Sequence, residues 1–209
     1  MTPPPLLDVR QLAAARGNAT LFRDLGFRLE SGDAMMVEGR NGAGKTTLLR
    51  ILAGLTSMVE GVVAWCGERM APLDERMRSV VAFVGHAPAV KDELSAAENL
   101  AALLALSGEA ADPGRVDAAL RAAGLDPHRD LPARWLSQGQ RRRIGLARLA
   151  VTARPLWILD EPGTALDAAG SAWLGELVAA HANRGGIVVA ATHQPLPMPA
   201  RRVATLRLG

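Results

Sequence analysis

Eight consecutive residues, Gly39-Arg40-Asn41-Gly42-Ala43-Gly44-Lys45-Thr46, follow the spacing G-x-x-x-x-G-K-[ST], and Thr47 comes next. Chemistry on phosphate asks for this arrangement. The glycines let backbone N–H groups curl around a β-phosphate, and a helix opening at Lys45 adds the partial positive charge of its N-terminus. The Lys45 ammonium would reach the β- and γ-phosphates, and the Thr46 hydroxyl would take a Mg²⁺ ion. Lys45 and Lys91 are the only lysines in the chain, so the place of Lys45 is informative. A second group, Leu156-Trp157-Ile158-Leu159-Asp160-Glu161, reads as a buried strand ending in two carboxylates. At the carboxyl end of a parallel strand, beside that loop, Asp160 would complete a Mg²⁺ site and Glu161 could polarise an attacking water as general base; taken alone, the pair also reads as an acidic turn after a strand. The third group, Leu136-Ser137-Gln138-Gly139-Gln140, opens a helix. There the Ser137 hydroxyl and the amides can face phosphate, or Ser137 can be a plain N-cap.

These groups need elements that carry them to one place. Partial alternation of apolar residues predicts strands at 8–13 and 20–30, separated by a turn at Arg16-Gly17-Asn18. A short apolar run at 34–38 feeds the glycine-rich loop, and a helix at 45–53 is closed by Gly54. Strand-like runs follow at 62–66 and 79–84. Helical spacing predicts helices at 96–107, 113–123 and 138–152. Strands return at 156–159, 187–191 and 203–208, with a helix at 168–183. Strands alternating with helices imply an α/β protein whose largely parallel sheet is covered on both faces. The expected organisation is a nucleotide-binding core at 1–86 and 154–209, with a helical subdomain at 87–153.

Composition bounds the rest. The chain has 209 residues, 49% of them apolar and 22% charged, enough to bury one core of ordinary size. Thirty-eight residues are alanine, which favours close-packed helices over a sandwich of bulky side chains. No apolar run approaches the roughly 18–20 residues that span a bilayer. Residues 1–10 lack the apolar stretch of a secretory leader, and the single Cys66 excludes an internal disulfide. A soluble cytoplasmic protein is expected. The net charge of +3 suits nucleotides, an anionic membrane face or nucleic acid, and selects none of them. Arg141-Arg142-Arg143 has no interleaved aromatics, which speaks against nucleic acid. These arginines are expected to serve a dimer or a membrane partner. Trp65, Trp135, Trp157 and Trp173 are expected in the core or an interface.

The order of the three groups resembles the ATP-binding cassette (ABC) ATPase family. Ala165-Leu166-Asp167 resembles its D-loop, and Thr192-His193 its switch histidine. The resemblance implies a P-loop NTPase (RecA-like) core with an antiparallel β edge and an inserted helical subdomain. It further implies Mg²⁺-dependent hydrolysis of ATP to ADP and phosphate by a head-to-tail homodimer. Each ATP would lie between the phosphate loop of one copy and Ser137 and Gly139 of the other, with Asp167 among the nucleotide-binding residues. His193 would hold the γ-phosphate and the water near Glu161. Two positions depart from the pattern. The chain has no tyrosine to stack on adenine; Arg16 stands near that place, and a guanidinium plane can stack on a base. Where a glutamine normally follows the strand, the chain has Gly85-His86-Ala87-Pro88. The His86 imidazole can take over a polar contact to water or metal.

The second departure narrows the resemblance. Gly85 to Leu94, then Glu98-Asn99-Leu100, and Thr192-His193-Gln194-Pro195-Leu196 are similar to the ATPase subunits of cytochrome c maturation (haem exporter) systems. This implies an integral membrane permease subunit and haem-handling maturation proteins as partners. It places the chain peripherally on the cytoplasmic face of the inner membrane, powering haem export or release of a haem-loaded chaperone. The membrane partner is expected at the groove beside 86–99, and 195–199 reads as a rigid connector. Three alternatives stand beside this reading. The ATPase of another small transporter would share the nucleotide motifs but lack the Gly85-His86 segment. A soluble ABC protein acting on nucleic acid usually carries paired cassettes or long insertions. A non-catalytic regulator is disfavoured by the intact Glu161 and His193.

Overall fold

The structure is a computed structural model that describes residues 4–193 and 200–209. The expected connector at 195–199, together with Gln194, lies outside the described residues. The strands are β1 (Leu6–Arg16), β2 (Ala19–Glu30), β3 (Asp33–Gly39), β4 (Glu60–Trp65), β5 (Glu68–Arg69), β6 (Val81–Val84), β7 (Leu156–Asp160), β8 (Ile187–Ala191) and β9 (Arg202–Leu208). The helices are α1 (Lys45–Leu52), α2 (Glu75–Val80), α3 (Ala96–Leu106), α4 (Pro113–Ala122), α5 (Gln138–Ala147) and α6 (Ala168–Asn183).

Two sheets form. The order β6-β7-β8-β3-β9 makes a five-stranded sheet in which every neighbouring pair is parallel. The antiparallel strands make a sheet of their own, β2-β1-β4-β5. Successive residues of β8 explain why the parallel sheet must be covered twice. Ile187, Val189 and Ala191 enter one core with Leu48, Leu49 and Leu52 of α1 and with Leu7, Val9 and Leu12 of β1. Val188 and Ala190 enter a second core with Leu146, Leu149, Leu174 and Val178 on the opposite face. A strand that is apolar at every position is stable only between two layers. A third core, built by Leu100, Leu104, Val116, Leu120, Leu125 and Ile144, unites α3, α4 and α5. Helix α5 supplies Leu146 to the second core and Ile144 and Ala147 to the third, so it joins the helical layer to the sheet.

Most element ends shift by a residue or more from the sequence reading, and two of the shifts have a local cause. The strand expected to begin at 79 begins at Val81, because Asp74 accepts the amide of Arg76 and caps α2. The helix expected to run to 152 ends at Ala147 and passes into a 3-10 turn, Arg148–Ala150. The β-branched pair Val151-Thr152 and Pro155 disfavour its continuation. Trp157 is fully buried, while Trp65 and Trp173 pack partly buried against the cores. Trp135 stands 66% exposed.

Candidate nucleotide site

Because β3, β6, β7 and β8 run parallel, their carboxyl ends share one edge of the sheet, the usual place for a ligand in this topology. Strand β3 delivers the glycine-rich loop, β6 delivers Gly85-His86, β7 ends at Asp160, and β8 leads to Thr192-His193. A cavity of about 490 Å³ lies between them. It is lined by Asn41, Gly42, Gly44, Lys45, Thr46 and Thr47 of the loop, with Arg16, His86, Asp160, Glu161, Thr164 and His193 around it.

The loop owes its path to glycine. Gly42 and Gly44 take φ of 84° and 98°, values a side chain disfavours. A Cβ on Gly39 would meet Leu208 O at 2.5 Å, and the Ala43 side chain lies 3.3 Å away. Gly44 is the N-cap of α1 and gives it no side-chain cap, so the first-turn amides are left for an anion. Lys45 is 9% exposed, and its Nζ donates to Gly39 O at 2.6 Å and to Arg40 O at 3.2 Å. The ammonium thus folds back over the loop that would hold the phosphates.

The β7 edge carries the acids. Asp160 is 3% exposed, and its Oδ2 is buried with no hydrogen-bond partner among the described residues. A buried carboxylate oxygen without a donor is costly unless a cation meets it, so Asp160 beside Thr46 suits Mg²⁺. Adjacent strand residues ordinarily point to opposite faces, yet Glu161 lines the cavity with Asp160. The reason is a left-handed Glu161, at φ 49°, whose amide donates to Ala191 O at 2.8 Å. His193 completes the group: its amide donates to Glu161 Oε2 at 3.2 Å, and its Nε2 stands 3.5 Å from Oε1. Arg16, the last residue of β1, reaches the cavity from the antiparallel sheet.

Among the described residues, neither Ser137, Gly139 nor Asp167 lines this cavity. Ser137 is the N-cap of α5 and forms a capping box, accepting Gln140 N at 3.2 Å while its own amide donates to Gln140 Oε1 at 2.8 Å. A Cβ on Gly139 would meet Ala165 O at 2.7 Å, which brings the start of α5 against the turn before α6. Asp167 caps α6 by accepting Gly170 N at 2.8 Å and pairs with Arg143. The Gly170 amide, then the Arg143 guanidinium, hold the Asp167 carboxyl below its ordinary range.

The arginine triplet is corrected by the structure. Arg141 pairs with Asp92, Arg143 with Asp167, and Arg142 is 3% exposed. All three are engaged within the chain, and Arg142 is too buried to reach a partner. Burial pushes the Arg142 guanidinium below its ordinary pKa, opposed by the Asp160 and Glu161 carboxylates. Sequence reasoning also missed Thr164 in the cavity wall; as an ordinary loop threonine it gave no signal. Asn99, noted only as part of a motif, is a buried organiser. Its side chain accepts Lys91 N at 2.7 Å and donates to Lys91 O, Leu94 O and Ser95 O, while Glu98 and Ser95 form the capping box of α3. Among the described residues no helix is long and apolar enough to cross a membrane.

A family model described as ABC transporter matches residues 22–164. The solved structures agree on the fold: an ABC transporter ATP-binding protein from Pyrococcus furiosus, 21% identical, superposes with a TM-score of 0.80 over 97% of both chains. A dimeric, post-hydrolysis structure of the ATP-binding cassette MJ0796 with ADP and Pi, 23% identical, gives 0.80 over 97% of this chain and 96% of that one. The chain belongs to the ABC transporter family and is an ATPase of that family, coupling hydrolysis to a transporter. Its curated relatives are more particular. The cytochrome c biogenesis ATP-binding export protein CcmA 1 of Cupriavidus metallidurans is 45% identical over 98% of both chains. The CcmA of Pseudomonas aeruginosa is 45% identical over 98% of this chain and all of its own length.

Proposed function

We propose that the chain is the ATPase of a haem-exporting cytochrome c maturation transporter and works as a head-to-tail homodimer. One observation carries the catalytic part. Lys45, Thr46, Asp160, Glu161 and His193 share one cavity, whereas Ser137 and Gly139, on α5, stand outside it. A second copy docked head to tail brings its α5 N-terminus, with first-turn amides and the Ser137 hydroxyl, onto the open side of the γ-phosphate. Within each site the backbone from Gly39 to Gly44, the side chain of Lys45 and Thr47 cradle the β- and γ-phosphates, and Arg16 stacks on the adenine. Lys45 exchanges the Gly39 and Arg40 carbonyls for phosphate oxygens. Thr46 and Asp160 would hold Mg²⁺, with His86 beside them, and the ion would supply positive charge to offset that of the phosphates. Glu161 accepts the proton of the attacking water, and His193 orients Glu161 and the γ-phosphate. Asp167, tied to Arg143, sets the turn that faces the other copy. Positioning and charge neutralisation do most of this chemistry.

The membrane partner has a surface suited to it. A groove of about 370 Å³ between α2, β6 and the end of α3 is lined by Met77, Phe83, Arg148 and Arg154, and Leu55, Leu73 and Leu106 on its rim are 53%, 77% and 87% exposed. In place of the groove expected beside 86–99, we assign this one to an apolar cytoplasmic helix of the permease subunit, on the cytoplasmic face of the inner membrane, with the haem-handling proteins on the far side. The test is a host whose own copy is deleted and replaced by Glu161→Gln. Haem-stained gels are expected to lose c-type cytochromes while b-type haem proteins persist, and the purified variant is expected to dimerise with ATP. Normal c-type cytochromes in that host would refute the reading.

A further inference from the structure

Arg142 lies at the fifth position of α5, and the reaction proposed above makes no use of it. A guanidinium has five N–H donors, and here all five go to backbone carbonyls. Nε donates to Pro162 O at 3.2 Å, Nη1 to Gly85 O at 2.8 Å and His86 O at 3.0 Å, and Nη2 to Asp160 O at 3.1 Å and Glu161 O at 2.8 Å. The acceptors belong to two segments only. One follows β6 and carries the His86 side chain into the cavity; the other follows β7 and carries Asp160 and Glu161.

The second segment needs support. Glu161 is held at φ 49°, a conformation that costs free energy in a non-glycine residue and persists only where its surroundings enforce it. The Ala191 carbonyl holds its amide, and Arg142 holds its carbonyl. Moving the guanidinium away from any of the five acceptors would leave buried polar groups unpaired, so the planar fork and the two segments move as one body. Arg141 and Arg143 differ, since each pairs with a carboxylate, Asp92 and Asp167.

We propose that Arg142 is a positioning residue that makes the geometry of Glu161 and His86 follow the orientation of α5. Engagement of Ser137 by the partner's nucleotide, which turns or steadies α5, is thereby registered at the base that activates water. The claim rests on the head-to-tail reading of Ser137 and Glu161 given above. Lysine cannot replace the staple, because an ammonium offers three donors from one point where five are needed in a plane.

The test uses the full-length chain with Arg142→Lys, and Arg142→Gln if the lysine variant loses cooperative melting. Calorimetric ATP affinity and KM are expected to stay within about threefold of wild type, since the phosphate loop does not touch Arg142, while kcat falls roughly 10²-fold. A purely structural lesion would move affinity and kcat together. Combined with Ser137→Ala, the two losses in kcat are expected to overlap instead of multiplying, as for residues acting in one unit. Wild-type kcat in the Arg142 variants, or fully multiplicative losses in the double variant, would overturn the proposal. Glu161→Gln separates it from the reading beneath it: turnover at the wild-type rate in that variant refutes the general base whatever Arg142 does.

Discussion

The backbone N–H of His193 donates to one carboxylate oxygen of Glu161 at 3.2 Å, and its imidazole Nε2 stands 3.5 Å from the other. The two residues come from the ends of β8 and β7, neighbours in the parallel sheet. Glu161 is thus aimed from above by the loop after β8 and from below by the turn that Arg142 supports. A base held from two sides needs little reorganisation when water arrives, which is where catalysis by positioning saves most.

His193→Ala is therefore expected to lower kcat about 10²-fold while ATP affinity changes little, because the phosphate loop is intact. Phosphate release under saturating ATP, read beside calorimetry, checks this. A variant that loses affinity but keeps kcat would place His193 in binding alone.

Lys45→Ala should do the opposite. Its ammonium folds onto the Gly39 and Arg40 carbonyls, inside the loop. Removing it is expected to weaken ATP binding at least tenfold, with no loss of thermal stability beyond about 1 kcal/mol. Titration calorimetry against ATP and a melting curve together give the answer.

His86 lines the cavity from the β6 end. If it acts on water or metal, His86→Gln, which keeps a polar end group, should retain most turnover. His86→Ala should lower kcat about tenfold and raise the Mg²⁺ needed for half-maximal rate. Equal Mg²⁺ curves for both variants and wild type would remove His86 from the metal site.

His181 governs acid stability. Its ring stacks on Trp157 with centroids 3.8 Å apart at 11°, and burial lowers its pKa to about 4. The unfolded chain takes up that proton near pH 6.5, whereas the folded protein stays neutral. Stability is then complete above about pH 6.5 and falls as pH drops toward 4, by up to about 3 kcal/mol. Denaturant midpoints from pH 4 to 7.5 should show this slope in wild type and a much smaller one in His181→Phe. Parallel slopes would assign the acid sensitivity elsewhere.

The groove rim makes a different kind of prediction. Leu73→Asp with Leu106→Asp changes side chains that are mostly exposed, so stability should stay within about 0.5 kcal/mol and the ATPase of the isolated chain should be kept. Association of the chain with membranes that carry the co-expressed permease should be lost, as measured by flotation of the chain with the membrane fraction.

Much of this protein was legible from its residues in order. The strand at 187–191 and the helix at 168–183 match β8 and α6 residue for residue, because unbroken apolar runs and clear caps leave few alternatives. The end of α5 and the start of β6 were less legible. There Asp74, Pro155 and buried arginine contacts decide the boundary, and no periodicity reports them. Arg142 was the largest omission: as one of three adjacent arginines it was expected to serve a dimer or a membrane partner, and it is buried against backbone carbonyls instead.

Local sequence determined the chemistry on offer. Glycine spacing sets the loop, an apolar run ending in Asp160-Glu161 sets the acids, and Ser137 with Gln140 sets a helix start, since each depends on residues within a few positions of one another. Only the tertiary structure decided what those groups can do together. Parallel pairing brings four strand ends to one edge, the left-handed turn at Glu161 sends its carboxylate to the same side as Asp160, and α5 carries Ser137 out of the cavity while Arg142 reaches back beneath it. Each is a contact between residues far apart in the chain, created by burying both faces of one sheet, and no window of sequence contains both partners.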